Sequence, residues 1–384
     1  MQRDGHLFGP GPKKILSLDG GGIRGVVTLA FLEQIERTLE KRQGPGACLG
    51  DYFDLIGGTS TGAIIAVALA LGYRTSEIKR LYFALAPLVF KHRWWSVPVL
   101  RPRFDARELQ KHIVEIVGTR TLESPDLITG FAVVTKRMDT GAAWIVSNNP
   151  RAPFWETHAP YLGNRHYPLT NLVRASTAAP NFFDPELIPI ALDEAVGPRE
   201  RFRHDERSYG LFVDGAVTAY GNPALALLHL ATFKQFGMCW TPGVGSLMVT
   251  SVGTGSFRPR ISYNSLGFAR FPKLAYHALL SMVSDSALLT LTMMQWLGEC
   301  RTPWVVNSEI GTLAGDAPPG GKMFTFQRYD VHLDRDWIAS ELNRRVAEED
   351  VVRLRNMADP KSIPLLYELG QAAAEAQVDA GDWL

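Results

Sequence analysis

Apolar and polar positions change period repeatedly along the first part of the chain, and the changes predict strands alternating with helices. Lys14-Ile15-Leu16-Ser17-Leu18 reads as a short buried strand. Val27, Phe31, Ile35 and Leu39 then recur every four residues, as one face of a helix over 23–41 requires. A second apolar run predicts a strand over 52–57, and a third, Ala63 to Leu71, a helix over 61–71. Alternation of this kind predicts an α/β protein: a three-layer α/β/α arrangement around a mainly parallel sheet. Further helices are expected over Thr75–Leu88 and over Asp105–Val117, with Asp105 as N-cap. Phe131–Thr135 and Ala143–Ser147 read as strands joined around Met138-Asp139-Thr140-Gly141. A helix is predicted over Leu169–Ala178, stopping at Pro180. Strands Leu211–Val213 and Leu247–Val252 flank a helix over Pro223–Phe236. Beyond residue 256 the pattern turns helical, with a long apolar stretch at Tyr276–Leu297 and a charged one at Trp337–Asn356. The polar, Gly/Pro-rich residues 1–12 predict a flexible segment, 13–256 a catalytic domain, and 257–384 a mostly helical extension packed on it.

Three of the predicted strands end in chemically loaded turns. Ser60 sits in Gly58-Thr59-Ser60-Thr61-Gly62, between an apolar strand and an apolar helix. Glycines two positions either side of a serine permit a sharp turn that lifts the hydroxyl clear of the backbone. Asp19-Gly20-Gly21-Gly22-Ile23-Arg24-Gly25 follows the first strand. Gly20-x-Gly22-x-x-Gly25 also fits a dinucleotide fingerprint, but the acidic residue at the right distance, Glu40, falls within the helix. The better reading is an oxyanion hole, with N–H donors from Gly21 and Gly22. The third turn, Gly210-Leu211-Phe212-Val213-Asp214-Gly215-Ala216, places an aspartate at a strand end. In an open α/β sheet the carboxyl ends of strands border the functional crevice, so these turns can converge there.

Together these motifs resemble the signature set of the patatin-like phospholipases. Arg174-Ala175-Ser176-Thr177-Ala178-Ala179-Pro180, Asn222-Pro223 and Ser251-Val252-Gly253-Thr254-Gly255 also resemble blocks of that family, in order and spacing. The resemblance covers roughly residues 13–256. It implies a patatin-like fold and a Ser–Asp dyad that hydrolyses acyl esters of lipids through an acyl-enzyme. By position, Ser60 is the nucleophile and Asp214 the proton acceptor. Gly20, Gly21, Gly22, Ile23, Arg24 and Gly25 form the oxyanion loop. Gly58, Thr59, Thr61 and Gly62 form the nucleophile elbow, and Gly215 and Ala216 complete the aspartate motif. Ala216 stands where many members have glycine.

Composition narrows the rest. With 46% hydrophobic and 21% charged residues the chain has the make-up of an ordinary globular protein. A net charge of +1 gives no electrostatic case for a nucleic-acid polymer. Cys48, Cys239 and Cys300 are scattered, out of metal-ligand spacing, and point to a reducing compartment. No metal or other cofactor is expected. The N-terminus lacks the apolar core of a signal peptide, so a cytoplasmic protein is expected, with transient contact at a membrane surface where its phospholipid or other acyl-lipid substrate lies. Trp94 and Trp95, among the cations Lys91, His92, Arg93, Arg101 and Arg103, read either as an interfacial anchor or as a loop over the core. The charge-dense stretch Gly197–Arg207 reads as a solvated loop, with phosphate recognition as the sharper alternative. Met282, Met293 and Met294 read as core packing or as a flexible apolar wall beside an acyl chain. Other functions share parts of the motif set: an acyltransferase using the same acyl-enzyme, a phospholipase effector controlled by a nucleotide, a nucleotide-binding module, or a Ser-His-Asp hydrolase drawing on His229, His277 or His332.

Overall fold

The computed structural model describes residues 2–90, 104–191, 209–259 and 270–383. Trp94, Trp95 and the cations around them, and all of the 197–207 stretch, lie outside the described residues. The elements run α1 (Gln2–Phe8), β1 (Lys13–Leu18), α2 (Gly25–Gln43), α3 (Leu49–Tyr52), β2 (Leu55–Thr59), α4 (Thr61–Ala70), α5 (Thr75–Val89), α6 (Ala106–Val117), β3 (Gly130–Arg137) and β4 (Ala143–Ser147). They continue with α7 (Leu169–Ser176), β5 (Glu186–Pro189), β6 (Tyr209–Asp214), α8 (Ala224–Thr232), β7 (Leu247–Val252), α9 (Arg270–Leu297), β8 (Gly298–Cys300) and β9 (Phe324–Tyr329). Helices α10 (Arg335–Leu342), α11 (Glu348–Leu354) and α12 (Ile363–Gln377) close the chain.

Among the described residues the strands form one sheet, in the order β5-β6-β3-β2-β1-β7-β9-β8, with β4 paired to β3. The centre is parallel: β3, β2, β1, β7, β9 and β8 all pair in the same direction. β4, β5 and β6 pair antiparallel. Alternate residues of the central strands feed two separate apolar cores. Leu16, Leu18, Ile56 and Phe131 pack with α2, α4 and α12 on one face. Ile15, Leu55, Val249 and Phe326 pack with Leu227 and Met294 from α8 and α9 on the other. This is the three-layer arrangement that the sequence predicts.

The register of β3 sets the site. Its residues Ala132 to Val134 pair with β2 and β4, whereas Thr135 and Lys136 pair with β4 and β6. A residue has one neighbour on each edge, so β2 and β6 follow one another along the same edge of β3. Thr59 lies opposite Val134, and Asp214 opposite the next residue, Thr135. The end of β2 and the end of β6 are thereby brought together.

Four expectations change. Residues 1–12 are not loose: α1 forms because Leu7 is fully buried and its carbonyl accepts from Trp240 Nε1 at 2.7 Å. The strand expected over 52–57 starts later, since Tyr52 closes α3 and packs edge-on against Phe53. The charged stretch Trp337–Asn356 is two helices, not one, because Asn343 adopts a left-handed conformation (φ 49°) that ends α10. The extension after 256 also carries two strands, and β9 lies between β7 and β8 in the sheet.

The chain's last described residue, Trp383, is buried to 1% exposure among Tyr52, Phe53 and Tyr329. Truncating an aromatic of that burial costs about 3–5 kcal/mol. Trp383→Ala is therefore expected to lower stability by that amount, read from the shift of the urea unfolding midpoint.

Candidate active site

Ser60 is the residue between β2 and α4, and its backbone is strained (φ 55°, ψ −123°). The elbow is tight enough to exclude side chains at its flanks. A Cβ on Gly58 would come within 2.2 Å of the Gly62 carbonyl group, and one on Gly62 within 2.2 Å of the Leu18 carbonyl oxygen. Such a strained turn persists because its surroundings fix it. Ser60 N–H donates to Ser176 Oγ at 2.8 Å, and that hydroxyl donates in turn to the Val134 carbonyl at 2.6 Å. Thr59 Oγ1 donates to the Tyr220 carbonyl.

Asp214 faces the serine across the β2–β6 junction. Ser60 Oγ donates to Asp214 Oδ2 at 2.6 Å, and Ala216 N–H donates to Oδ1 at 2.8 Å. The carboxylate is 2% exposed. Burial pushes its pKa up to about 6, against the lowering effects of the Ser60 and Ala216 hydrogen bonds and the nearby Arg174 cation. Gly215 sits so close to β3 that a Cβ there would meet the Val134 carbonyl oxygen at 2.3 Å.

The glycine loop lies against the elbow: a Cβ on Gly20 would be 3.2 Å from Ser60 Cβ. Most of its N–H groups are already bound. Gly20 donates to Gly221, Ile23 to Met357, Arg24 to Gly21, and Gly25 to Gly22 and Ile23. Among the described residues, Gly21 N–H and Gly22 N–H have no protein acceptor. Of the six residues expected to form an oxyanion loop, these two carry N–H groups left without a protein acceptor. Thr61 Oγ1 and Tyr82 OH both donate to the Gly22 carbonyl, which fixes that peptide. Gly22 has φ 58°, and a Cβ there would meet the Met357 carbonyl oxygen at 2.3 Å.

Behind the loop is a buried ionic cluster. Arg328 from β9 donates to Asp19 Oδ2 at 2.7 Å, to Asp330 Oδ2 at 2.8 Å and to Ser251 Oγ at 2.7 Å. Burial raises the Asp19 pKa to about 6 despite Arg328, and lowers that of Arg24 to about 10. Arg24 donates to the Gly255 carbonyl and Thr254 Oγ1 to the Gly20 carbonyl, so the 251–255 block clamps the loop. Sequence reasoning missed Ser176 and Arg328 as site residues. Ser176 lies in a block noted for its resemblance, but Arg328 is a lone cation in a strand with no local signal.

Among the described residues, the hydrogen bonds of Ser60 Oγ and N–H and of the Asp214 carboxylate run to each other, to Ser176 and to Ala216, with no histidine among them. His229 stacks on Phe233 at 4.5 Å, and burial lowers its pKa. His332 Nδ1 lies 3.2 Å from Ser256 Oγ. His277 lies in α9.

Ser60 and Asp214 open into a cavity of about 1410 Å³. Ile64 and Ala68 of α4, Leu81 and Leu85 of α5, and Ile113 of α6 give it a long apolar wall. The α9 methionines divide between the two roles expected of them: Met282 lines the cavity, whereas Met294 is fully buried in the core.

A three-layer sheet with a serine elbow and a glycine loop at adjoining strand ends defines a class of acyl-ester hydrolases. The sequence profile described as Patatin-like phospholipase matches residues 16–228. The chain is 31% identical over 267 residues to a cGAMP-activated phospholipase of Vibrio cholerae serotype O1, covering 66% of this chain and 67% of that one. It is 28% identical over 289 residues to a cGAMP-activated phospholipase of Escherichia coli strain TW11681, covering 74% and 73%. Against Patatin-T5 of Solanum tuberosum the identity is 27% over 255 residues, 63% of this chain and 60% of that one. The chain belongs to the patatin-like phospholipase family and is a serine-dependent lipid acyl hydrolase. Among the described residues, no helix is long and apolar enough to cross a membrane.

Ser176→Ala tests the support of the elbow. It leaves the buried Ser60 N–H without an acceptor, which costs about 1–3 kcal/mol. The expected result is that loss in unfolding free energy together with a fall in kcat; unchanged values of both would remove Ser176 from the elbow's support.

Proposed function

We propose that the protein hydrolyses fatty-acyl esters of phospholipids with Ser60 as nucleophile and Asp214 as its base. The observation that carries this reading is the 2.6 Å hydrogen bond from Ser60 Oγ to Asp214 Oδ2 at the mouth of an apolar cavity. Asp214 accepts the Ser60 proton as Oγ attacks the ester carbonyl carbon. The carbonyl oxygen takes the electron pair and is held by the N–H groups of Gly21 and Gly22. The tetrahedral centre collapses, the C–O bond to the leaving alcohol breaks, and the alcohol takes the proton from Asp214. Water then attacks the acyl-Ser60 ester and gives a proton to Asp214. Collapse of the second tetrahedral centre releases the fatty acid and returns that proton to Ser60. A free aspartate, with a pKa of about 3.9, is a poor base for this task. Burial, by raising the value to about 6, brings Asp214 toward the range that base catalysis needs.

The lipid reaches the site by transient contact with a membrane surface, and the chain works in the cytoplasm. The catalytic unit is residues 13–256, with 257–384 supplying cavity wall and loop support. A second reading adds regulation: two relatives are named for activation by cGAMP, so this hydrolase is itself controlled by a nucleotide.

The decisive assay is fatty-acid release from phospholipid vesicles, with and without cGAMP. Ser60→Ala and Asp214→Asn should each abolish nearly all release, and the double variant should lose little more, because residues acting as a unit are non-additive. A folded Asp214→Asn enzyme that keeps substantial activity would sink the dyad. No change on adding cGAMP would remove the regulatory reading and leave the hydrolase.

The pH profile gives an independent check. Only the deprotonated Asp214 can act as base, so kcat/KM on a short-chain ester should fall tenfold per unit below about pH 6 and level off above it. The stability linkage has the opposite sense. The folded pKa lies above the unfolded value of about 3.9, so Asp214's favourable contribution is present below that value and is lost as pH rises through about 6. Asp214→Asn should therefore gain in melting temperature relative to the parent between pH 4 and pH 8.

A further inference from the structure

We infer that the part of the cavity beyond the glycine loop, away from the apolar wall, is a subsite for a phosphate group. The inference rests on Ser60 as nucleophile and deepens that reading. Strand order fixes the layout. The helices of the apolar wall follow β2 and precede β3, on one side of β1; β7 and β9 lie on the other. Phe257, Arg258, His332, Trp337 and Arg355 line the same cavity and follow β7 and β9 in the chain. All five lie outside the stretch 16–228 matched by the family profile.

Two guanidinium groups there are held by main-chain carbonyls rather than by carboxylates. Arg258 Nη2 donates to the Val306 carbonyl at 2.5 Å, and Arg355 Nε to the Leu333 carbonyl at 2.9 Å. Among the described residues neither has a carboxylate within 4.0 Å. Burial lowers the His332 pKa, and both arginines lie close enough to add to that effect, against Asp330 and Asp334, which raise it. The acids of the same region are committed elsewhere. Asp330 binds Arg328 and the N–H groups of Gly255 and Val331. Asp334 caps α10 through the N–H groups of Asp336 and Trp337 and feels Arg355 only at a distance beyond contact, and Glu341 accepts from Ser340. What remains is a pair of forks with free N–H donors beside aromatic rings. The Arg355 guanidinium lies 5.6 Å from the Phe257 ring centre, and Trp337 stacks on Trp304 at 5.8 Å. A planar guanidinium matches phosphate oxygens two at a time, and such charge-assisted bonds are the strong ones. With the acyl chain on the apolar wall and the ester at Ser60, a phospholipid's headgroup phosphate would extend toward Arg258 and Arg355. A soluble phosphate ester, such as a nucleotide, presents the same chemistry.

The experiment compares kcat/KM for a phosphatidylglycerol and for the diacylglycerol with the same acyl chains, both in neutral detergent micelles. Arg258→Gln/Arg355→Gln should lower the phospholipid-to-diacylglycerol ratio about tenfold or more, and Arg258→Lys/Arg355→Lys should restore part of it. A second arm titrates cGAMP, and separately pyrophosphate, into Ser60→Ala protein by calorimetry, with and without the two glutamines. A fall in the ratio assigns the subsite to the lipid headgroup. Binding that the glutamines abolish assigns it to a soluble phosphate ligand. If neither moves while the melting temperature holds, the inference is overturned. Were the double variant unstable, each single glutamine change would be judged by the same ratio. Hydrolysis that survives Ser60→Ala would instead overturn the dyad, and the calorimetry would still decide the phosphate subsite.

Discussion

One constraint governs the site: β3 is longer than β2, and its surplus residues pair with β6. Because β2 and β6 follow one another along a single edge of β3, Thr59 and Asp214 face consecutive residues, Val134 and Thr135. A slip of one residue in either pairing would turn every side chain of that strand to the opposite face. The serine hydroxyl and the carboxylate would then part. Main-chain ladders therefore bring together the strand ends from which Ser60 and Asp214 make their 2.6 Å bond. Ser176 reinforces the junction by bridging the Ser60 N–H and the Val134 carbonyl.

The sequence revealed those parts of the site that are local. Glycines packed against Ser60 and after Asp19 are legible because a tight turn forbids side chains within a few residues of itself. The strand–helix alternation from 14 to 71 is legible for the same reason: its periodicity is a property of neighbours. What escaped is long-range. Arg328 binds Asp19 across 309 positions, and nothing around it in a strand of alternating apolar residues marks it. The break at Asn343 escaped because no glycine or proline interrupts Trp337–Asn356. The helical start of the chain escaped because its composition is that of a loop, while its stability comes from Trp240 far downstream.

The chain after residue 256 is more than a cover. Its strand β9 extends the central sheet, its α12 packs along α2, and its Met357 carbonyl accepts the Ile23 N–H of the glycine loop. The cavity wall changes character across the loop as a result. Aliphatic side chains from α4, α5 and α6 line part of it, while the later segments add arginines and aromatic rings together with apolar side chains of α9 such as Met282 and Leu288.

The clamp from Arg328 to Asp19 also carries a consequence for biosynthesis. A chain leaves the ribosome N-terminus first. Ser60 and the glycine loop emerge first, Asp214 later, and Arg328 after both. Until β9 has joined the sheet, Asp19 lacks its bond from Arg328 and Ile23 its acceptor at Met357, so the loop lacks two of its anchors. A chain that stops before β9 thus lacks the clamp on the loop beside Ser60. The strand that completes the ionic cluster is thus also the one that fixes the order in which the loop can be set.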